Sequence, residues 1–287
     1  MAFRLRATAV FVPRDVAPVL IRGRLTILAH NVLVWTKPTT MSDGWALRFR
    51  RMAGRVTVRR SSCVLAATAA IGRLIPAGSR RAYQVVFHGC DLSPIHLEEK
   101  DSALRDGTAL RVIGLGTITP HKRFDVLIET VATLRDQRVA AELEIWGPVD
   151  SDAEARRLRE LGRTRLGYDP LRGLLEPSGR TELFRSADVL MMGSSTESFG
   201  FPMVEAMRTS TVVVAPRCDL VDEICGDCGV TYDEGSWQSA ADAILAARPQ
   251  FARLAGVGLR RSEEVFTWRR CVETTLQAIL DTGSEKG

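Results

Sequence analysis

Short apolar runs recur along this 287-residue chain, and helix-forming stretches separate them. The runs are ATAVFV (7–12), RLTILAHN (24–31), CVLAAT (63–68), YQVVFHG (83–89), ALRVIGLG (109–116), ELEIWG (142–147), ADVLMM (187–192) and TVVVAP (211–216). Brief runs that stay apolar without alternating fit strands buried on both faces. Between them lie RFDVLIETVATLRDQ (123–137), AEARRLRELGRTR (153–165) and WQSAADAILAAR (237–248). In the first of these, Val126, Leu127, Thr130, Val131 and Leu134 return with the helical period. Strands alternating with helices predict an α/β chain with parallel sheets, whose ligands sit at the carboxyl ends of the strands. The polar stretch LEEKDSALRDGTA (97–109) interrupts the rhythm and predicts a boundary between a domain at 1–104 and one at 105–264.

Composition narrows the class. A hydrophobic fraction of 45% suits a globular protein, and no apolar run reaches the ~18 residues of a membrane span. Pro13, Arg14 and Asp15 interrupt the N-terminal apolar stretch too early for a secretion signal, so the expected location is cytoplasmic. The net charge of +5 conceals an asymmetry. Residues 1–100 hold 16 Lys and Arg against 5 Asp and Glu, a balance of +11, and the remainder is at −6. The basic density peaks in RFRRMAGRVTVRR (48–60). That patch is either a solvated helix face or a surface for an anionic membrane. Nucleic acid is not expected, since no recognised nucleic-acid module accompanies it. Cys225 and Cys228 form a C-x-x-C that lacks the further ligands of a zinc site; a thioredoxin-like motif would need a different setting, and the expected reading is buried reduced thiols.

Two segments carry candidate chemistry. In VIGLGTITPHKRFDVLIE (112–129) a strand ends in Gly114-Leu115-Gly116, and a loop then carries His121, Lys122 and Arg123 into a helix. Thr119 stands where a dinucleotide fingerprint needs its third glycine, and no P-loop pattern occurs. What remains is a glycine turn and a lysine at a strand end, suited to an anionic ligand, or a solvated loop lysine. In TESFGFPMVEAM (196–207) a loop with Glu197, Phe199, Gly200 and Phe201 runs into a helix opened by Pro202. Backbone N–H groups from Phe201 to Met203 would suit a phosphate, and Glu205, one turn in, would suit the paired hydroxyls of a ribose. Acidic residues near helix starts and a simple Gly-Phe-Pro turn are the plainer reading.

With both segments in view, the chain resembles the retaining GT-B glycosyltransferases of group 1, the family-4 type with its Glu-x7-Glu motif. GLGTITPHKRFDVLIETVATL resembles that family's first strand, loop and helix of the donor domain, and TESFGFPMVEAM its double-glutamate motif. VVVAPRCDLVDEICGDCGVTYD (212–233) resembles the following strand and glycine turn. VFTWRRCVETTLQAIL (265–280) resembles the final helix, which implies that 265–287 packs back toward the first domain. VVFHGCDL (85–92) resembles the interdomain segment, with Gly89 and Asp91 at its turn. The implied architecture is two Rossmann-like domains facing a cleft, with the N-terminal, acceptor-side domain incomplete.

The resemblance implies roles. Glu205 would hold the ribose of a nucleoside-diphosphate sugar and Glu197 the transferred sugar. Backbone N–H groups of Phe199, Gly200 and Phe201 would meet sugar or diphosphate. Lys122 would stabilise the departing nucleotide, an electrostatic contribution to the transition state. Thr117 stands where many members carry an arginine, so one fixed positive charge is absent and His121 or Arg123 would compensate. His30, in the HN after a strand, would lie near donor sugar and acceptor. Catalysis would rest on His30, Lys122 and Glu197, with no metal and no cofactor beyond the nucleotide-sugar co-substrate.

Family members usually begin with further βα units, including a glycine-rich loop, before the segment that matches residues 7–31. Four strand candidates remain, predicting a small sheet with an exposed edge. This shortening leaves a truncated reading frame, a partner chain that supplies the missing units, or a donor-binding remnant. The expected function is transfer of a hexose with retention of configuration to a glycan or lipid-linked acceptor, with peripheral contact to the inner face of the membrane. The alternative is a non-catalytic nucleotide-sugar-binding protein or one subunit of a two-chain transferase. Epimerases and phosphorylases sharing the two-domain plan fit residues 196–207 less well.

Overall fold

The computed structural model describes residues 9–17, 24–35, 45–75, 83–100 and 109–281. Backbone contacts divide the chain into two units. One comprises residues 1–89, 197–199 and 266–287; the other comprises 90–196 and 200–265.

The first unit contains a four-stranded parallel sheet, β1 (Ala9–Val12), β2 (Arg24–Ala29), β3 (Cys63–Ala66) and β4 (Gln84–Val85), in that spatial order. Leu25 through Ala29 are all buried, which explains why β2 reads as an unbroken apolar run. A helix Trp45–Arg60 connects β2 toward β3, and a helix Ala69–Leu74 follows β3. Thr68 caps the latter by accepting from the Ile71 N–H at 3.1 Å. The C-terminal helix Trp268–Asp281 belongs to this unit, with Ala278 packed among Leu28, Leu65 and Val86. The final helix expected over 265–280 is present and starts three residues later, at Trp268, after the helix Phe251–Val265 ends in the second unit.

The second unit is a six-stranded, wholly parallel sheet ordered β10-β9-β8-β5-β6-β7. Its strands are β5 (Leu110–Leu115), β6 (Ala141–Trp146), β7 (Leu171–Gly173), β8 (Val189–Met191), β9 (Val212–Pro216) and β10 (Gly229–Tyr232). β7 and β10 escape the sequence reading. LRG is too short to register, and GVTY is a four-residue run behind a glycine-bearing turn. From β5 the chain builds outward through β6 and β7; from β8 it builds the other way through β9 and β10. The order therefore reverses between β5 and β8, and their carboxyl ends form the topological switch point where open α/β sheets bind ligands.

The predicted boundary at 104/105 lies outside the described residues, but the residues before it are informative. Residues 90–100 pack with the second unit, so the change of unit comes between Gly89 and Cys90. Lys100, one of the charges that made 97–109 look like a linker, is 1% exposed. Its Nζ lies 2.9 Å from the Phe184 carbonyl, 3.0 Å from the Thr209 carbonyl and 2.6 Å from Thr211 Oγ1. Ile95 is tied alongside, its N–H donating to the Arg208 carbonyl and its own carbonyl accepting from Ser210 Oγ. A buried lysine with three polar partners is a clasp, and nothing in local sequence separates it from a solvated one.

Candidate functional site

At the switch point the loop after β5 is built by close backbone approach. Gly116 has φ +145°, and a Cβ there would stand 3.5 Å from Lys122 Cε and 3.8 Å from its Nζ. The Lys122 ammonium thus lies against the glycine turn, beyond the end of β5. Gly147, after β6, has no room for a side chain, since a Cβ would come within 1.9 Å of the Gly116 carbonyl oxygen. Gly193, after β8, is equally constrained, its would-be Cβ meeting the backbone carbonyls of Lys122 and Arg123. Three loops from three neighbouring strands therefore converge on residues 116–123.

The loop itself holds Thr117, and Ile118 bridges to Val149. A 3-10 turn over Pro120–Lys122 leads to Arg123 in the left-handed region at φ 51°, which opens the helix Phe124–Asp136. His121 Nδ1 lies 3.0 Å from Thr119 Oγ1. Arg123 forks onto Asp125 at 3.1 and 3.4 Å. The guanidinium expected to compensate for Thr117 is thus engaged with a carboxylate of its own helix, which offsets its charge.

On the other side of the switch point, Gly200 (φ +79°) precedes the helix Phe201–Arg208. Glu205 projects from it, and its carboxylate accepts from Arg180 through both Nε (2.9 Å) and a terminal guanidinium nitrogen (2.5 Å). The side chain is only 15% exposed. Burial pushes the Glu205 carboxyl above its ordinary range, the Arg180 fork pulls it back, and Asp91 adds an upward push. Arg180, the first residue of the helix Arg180–Ser186, is a site residue that sequence reasoning missed. No motif marks it; only the fold brings it to Glu205. Glu234 was missed likewise, and it accepts from both the backbone N–H and Oγ of Ser195, fixing the start of the loop.

One expectation needs correction. The sequence predicts N–H groups from Phe201 to Met203 that would suit a phosphate. Met203 donates to the Gly200 carbonyl at 2.9 Å, and Pro202 has no N–H, so two of the three positions offer nothing. Thr117, Lys122, Gly200, Phe201 and Glu205 all belong to the second unit, whereas His30, Glu197 and Phe199 belong to the first.

Within the first unit, Phe199 is buried and meets the His88 ring edge-on at 4.8 Å. Its side chain is packing, which leaves only its backbone for a ligand. Burial, with help from His30, lowers the His88 pKa to about 4, so this imidazole is neutral at pH 7. A Cβ on Gly89 would collide with the Trp268 backbone, which explains the glycine at this turn. His30 follows β2 and is anchored by Asp15, another residue without a sequence signal. The Asp15 carboxylate accepts from the backbone N–H groups of His30 (3.0 Å) and Asn31 (3.2 Å) and from the Trp35 indole (2.8 Å). His30 Nδ1 stands 3.9 Å from the same carboxylate, and the ring borders a recess of about 480 Å³ walled also by Arg14, Asn31 and Arg50.

The C-x-x-C proves to be packing. Cys225 and Cys228 are buried free thiols, Cys228 Sγ donates to the Cys225 carbonyl, and burial raises both pKa values, that of Cys228 to about 11. Among the described residues no helix is long and apolar enough to cross a membrane.

Comparison with known proteins supplies context. Residues 109–248 match the family model described as glycosyl transferases group 1. A D-inositol 3-phosphate glycosyltransferase of Saccharomonospora viridis is 35% identical over 180 residues, covering 58% of this chain and 40% of that protein. The match thus spans well under half of that relative's length. Among solved structures, Anabaena HepE in complex with UDP and glucose aligns with a TM-score of 0.72 at 21% identity, over 90% of this chain and 72% of that one. Sucrose-phosphate synthase from Thermosynechococcus elongatus aligns with a TM-score of 0.71 at 18% identity, over 92% and 69%. At these identities the structural likeness speaks to fold, which is of the GT-B type.

Proposed function

We propose, from the match of residues 109–248 to the family model described as glycosyl transferases group 1, that the chain moves a hexose from a nucleoside-diphosphate sugar to an acceptor with retention of configuration. The observation that carries this reading is the buried Glu205–Arg180 fork beside the switch point, together with Lys122 against the Gly116 turn. A carboxylate has four lone-pair sites, of which the fork takes two. The other two suit the adjacent hydroxyls of a ribose.

Lys122 supplies positive charge for the diphosphate. As the bond from the anomeric carbon to the diphosphate oxygen breaks, its electron pair departs with the nucleotide, and an ammonium at that oxygen lowers the barrier. The acceptor hydroxyl then attacks the short-lived oxocarbenium-like centre on the face the nucleotide leaves, and its proton passes to the departing diphosphate oxygen. By the family resemblance, Glu197 and the backbone N–H groups of Phe199, Gly200 and Phe201 are assigned to the sugar, and His30, anchored by Asp15, to the acceptor reaction. In this reading the acceptor is a glycan or a lipid-linked molecule on the cytoplasmic side, and no metal or further cofactor takes part.

The test is thermal denaturation of the purified chain with UDP, GDP, ADP, dTDP and CDP in turn, followed by donor hydrolysis and transfer with the matching sugar nucleotides. A ligand at 100 times its dissociation constant adds about 2.7 kcal/mol of stability. A shift with one base and turnover of its sugar nucleotide supports the proposal. No shift with any nucleotide refutes donor binding. A shift without turnover leaves the binding-protein reading in its place.

A further inference from the structure

The helix Trp45–Arg60 has two apolar faces, and the sheet uses only one. Gly54, Thr57 and Val58 are buried, and Val58 joins the core with Leu25, Ile27 and Val64. On the opposite side Trp45 is 83% exposed, Phe49 60%, Met52 57% and Val56 43%. Their spacing of four, three and four places them within about 60° of one another around the helix axis, in a single stripe. Phe49, Met52 and Val56 also wall a groove of about 330 Å³ that continues to Val16 and Leu25. An exposed tryptophan, phenylalanine, methionine and valine in register exceed the scattered apolar residues of an ordinary surface.

Charge identifies the occupant. The helix carries six arginines and no acidic residue. At 100° per residue, Arg48, Arg55 and Arg59 run along one border of the stripe, and Arg60 lies on the other. An apolar stripe with an aromatic at its end, bordered by arginines, fits the boundary between lipid headgroups and acyl chains, where long basic side chains lay their stems along apolar surface and reach outward with their heads. A protein partner would have to bring both an apolar ridge and acidic borders; an anionic bilayer presents both over its whole area. Sixteen residues of helix extend about 24 Å, enough to lie in the interface and too short to span it.

We propose that the helix Trp45–Arg60 is a docking surface for an anionic lipid bilayer, with Trp45, Phe49, Met52 and Val56 entering the headgroup boundary and Arg48, Arg55, Arg59 and Arg60 holding lipid phosphates. The docking needs no nucleotide, so its failure and the failure of the transferase reading are separate results.

The experiment is co-sedimentation of the full chain with phosphatidylcholine vesicles with and without phosphatidylglycerol, at low and high salt. Binding is expected with phosphatidylglycerol and is expected to weaken with salt. Trp45→Ala with Phe49→Ala should lower the partition coefficient at least about tenfold. Arg48→Gln, Arg55→Gln and Arg59→Gln together should lower it roughly a hundredfold, near fivefold per charge. All these positions are exposed, so unchanged melting of the variants separates lost docking from lost folding. Trp45→Phe keeps the stripe apolar and should retain binding while removing the vesicle-induced blue shift of fluorescence. Absence of binding, equal binding to neutral vesicles, or binding indifferent to the Trp45/Phe49 pair overturns the proposal. A dimer abolished by that pair without vesicle binding would assign the face to a second copy.

Discussion

Replacing Glu205 by glutamine tests the site at its most constrained point. The amide has almost the shape of the carboxylate, so packing is preserved, but two things change. Arg180, which now donates twice to carboxylate oxygens, would face one oxygen and one NH2 group that has no lone pair to offer. On the other side, ribose hydroxyls that would donate to a charged acceptor find one neutral oxygen. Hydrogen bonds to charged groups contribute about 1.5–3 kcal/mol each. Losing one such bond predicts a nucleotide dissociation constant raised about tenfold to 150-fold. Titration calorimetry at pH 7.5 with the best-stabilising nucleoside diphosphate measures it, and the 2′-deoxy analogue serves as control. The analogue should bind wild type more weakly than the ribonucleotide, and that difference should shrink in Glu205→Gln. Arg180→Met separates fork from ligand. It leaves the ribose-facing lone pairs in place but removes the cation that offsets burial of the carboxyl. Its affinity should fall as the pH is lowered, starting from a higher pH than in wild type, because burial then acts on the Glu205 carboxyl without the cation that opposes it. A Glu205→Gln dissociation constant within twofold of wild type would refute the ribose assignment.

Other consequences are independent of that one. Lys122→Ala should reduce turnover about 100-fold to 1,000-fold with a much smaller change in nucleotide affinity, since the proposed mechanism has its charge act on the departing diphosphate; single-turnover assays beside calorimetry check the split. Asp15→Ala orphans two backbone N–H groups and the Trp35 indole, and should cost about 3 kcal/mol in urea denaturation, with Asp15→Asn recovering part. Lys100 has its pKa lowered from 10.5 to about 7 by burial, with Asp188 opposing. Below about pH 7 it is protonated both folded and unfolded. Between pH 7 and 10.5 the unfolded chain holds the extra proton, so stability rises with pH across that window. The neutral amine keeps its partners by donating to the Phe184 and Thr209 carbonyls and accepting from Thr211. Lys100→Met should lose this slope in urea midpoints at pH 7, 8 and 9; an unchanged slope would show that another group sets it.

The α/β class, the positions of eight strands and the two loops at the switch point were legible in sequence because their signals are local. Buried parallel strands must be apolar throughout, as Val212–Pro216 is. A helix packed on a sheet repeats its apolar residues with its own period, as Phe124–Asp136 does. Glycines that admit a neighbouring backbone, such as Gly116 and Gly200, stand beside the residues they serve. What the chain brings together from a distance left no such trace. Arg180 reaches Glu205 across 25 residues, Asp15 reaches His30 across 15, and Lys100 reaches Thr211 across 111. A salt-bridged arginine, a capping aspartate and a buried lysine are spelled like their solvated counterparts; burial and partner are properties of the packed chain. The same holds for the stripe on Trp45–Arg60. Sequence showed its arginines, but only the fold decided which apolar face the sheet would take and which it would leave to solvent, because one side of a helix alone can face a sheet.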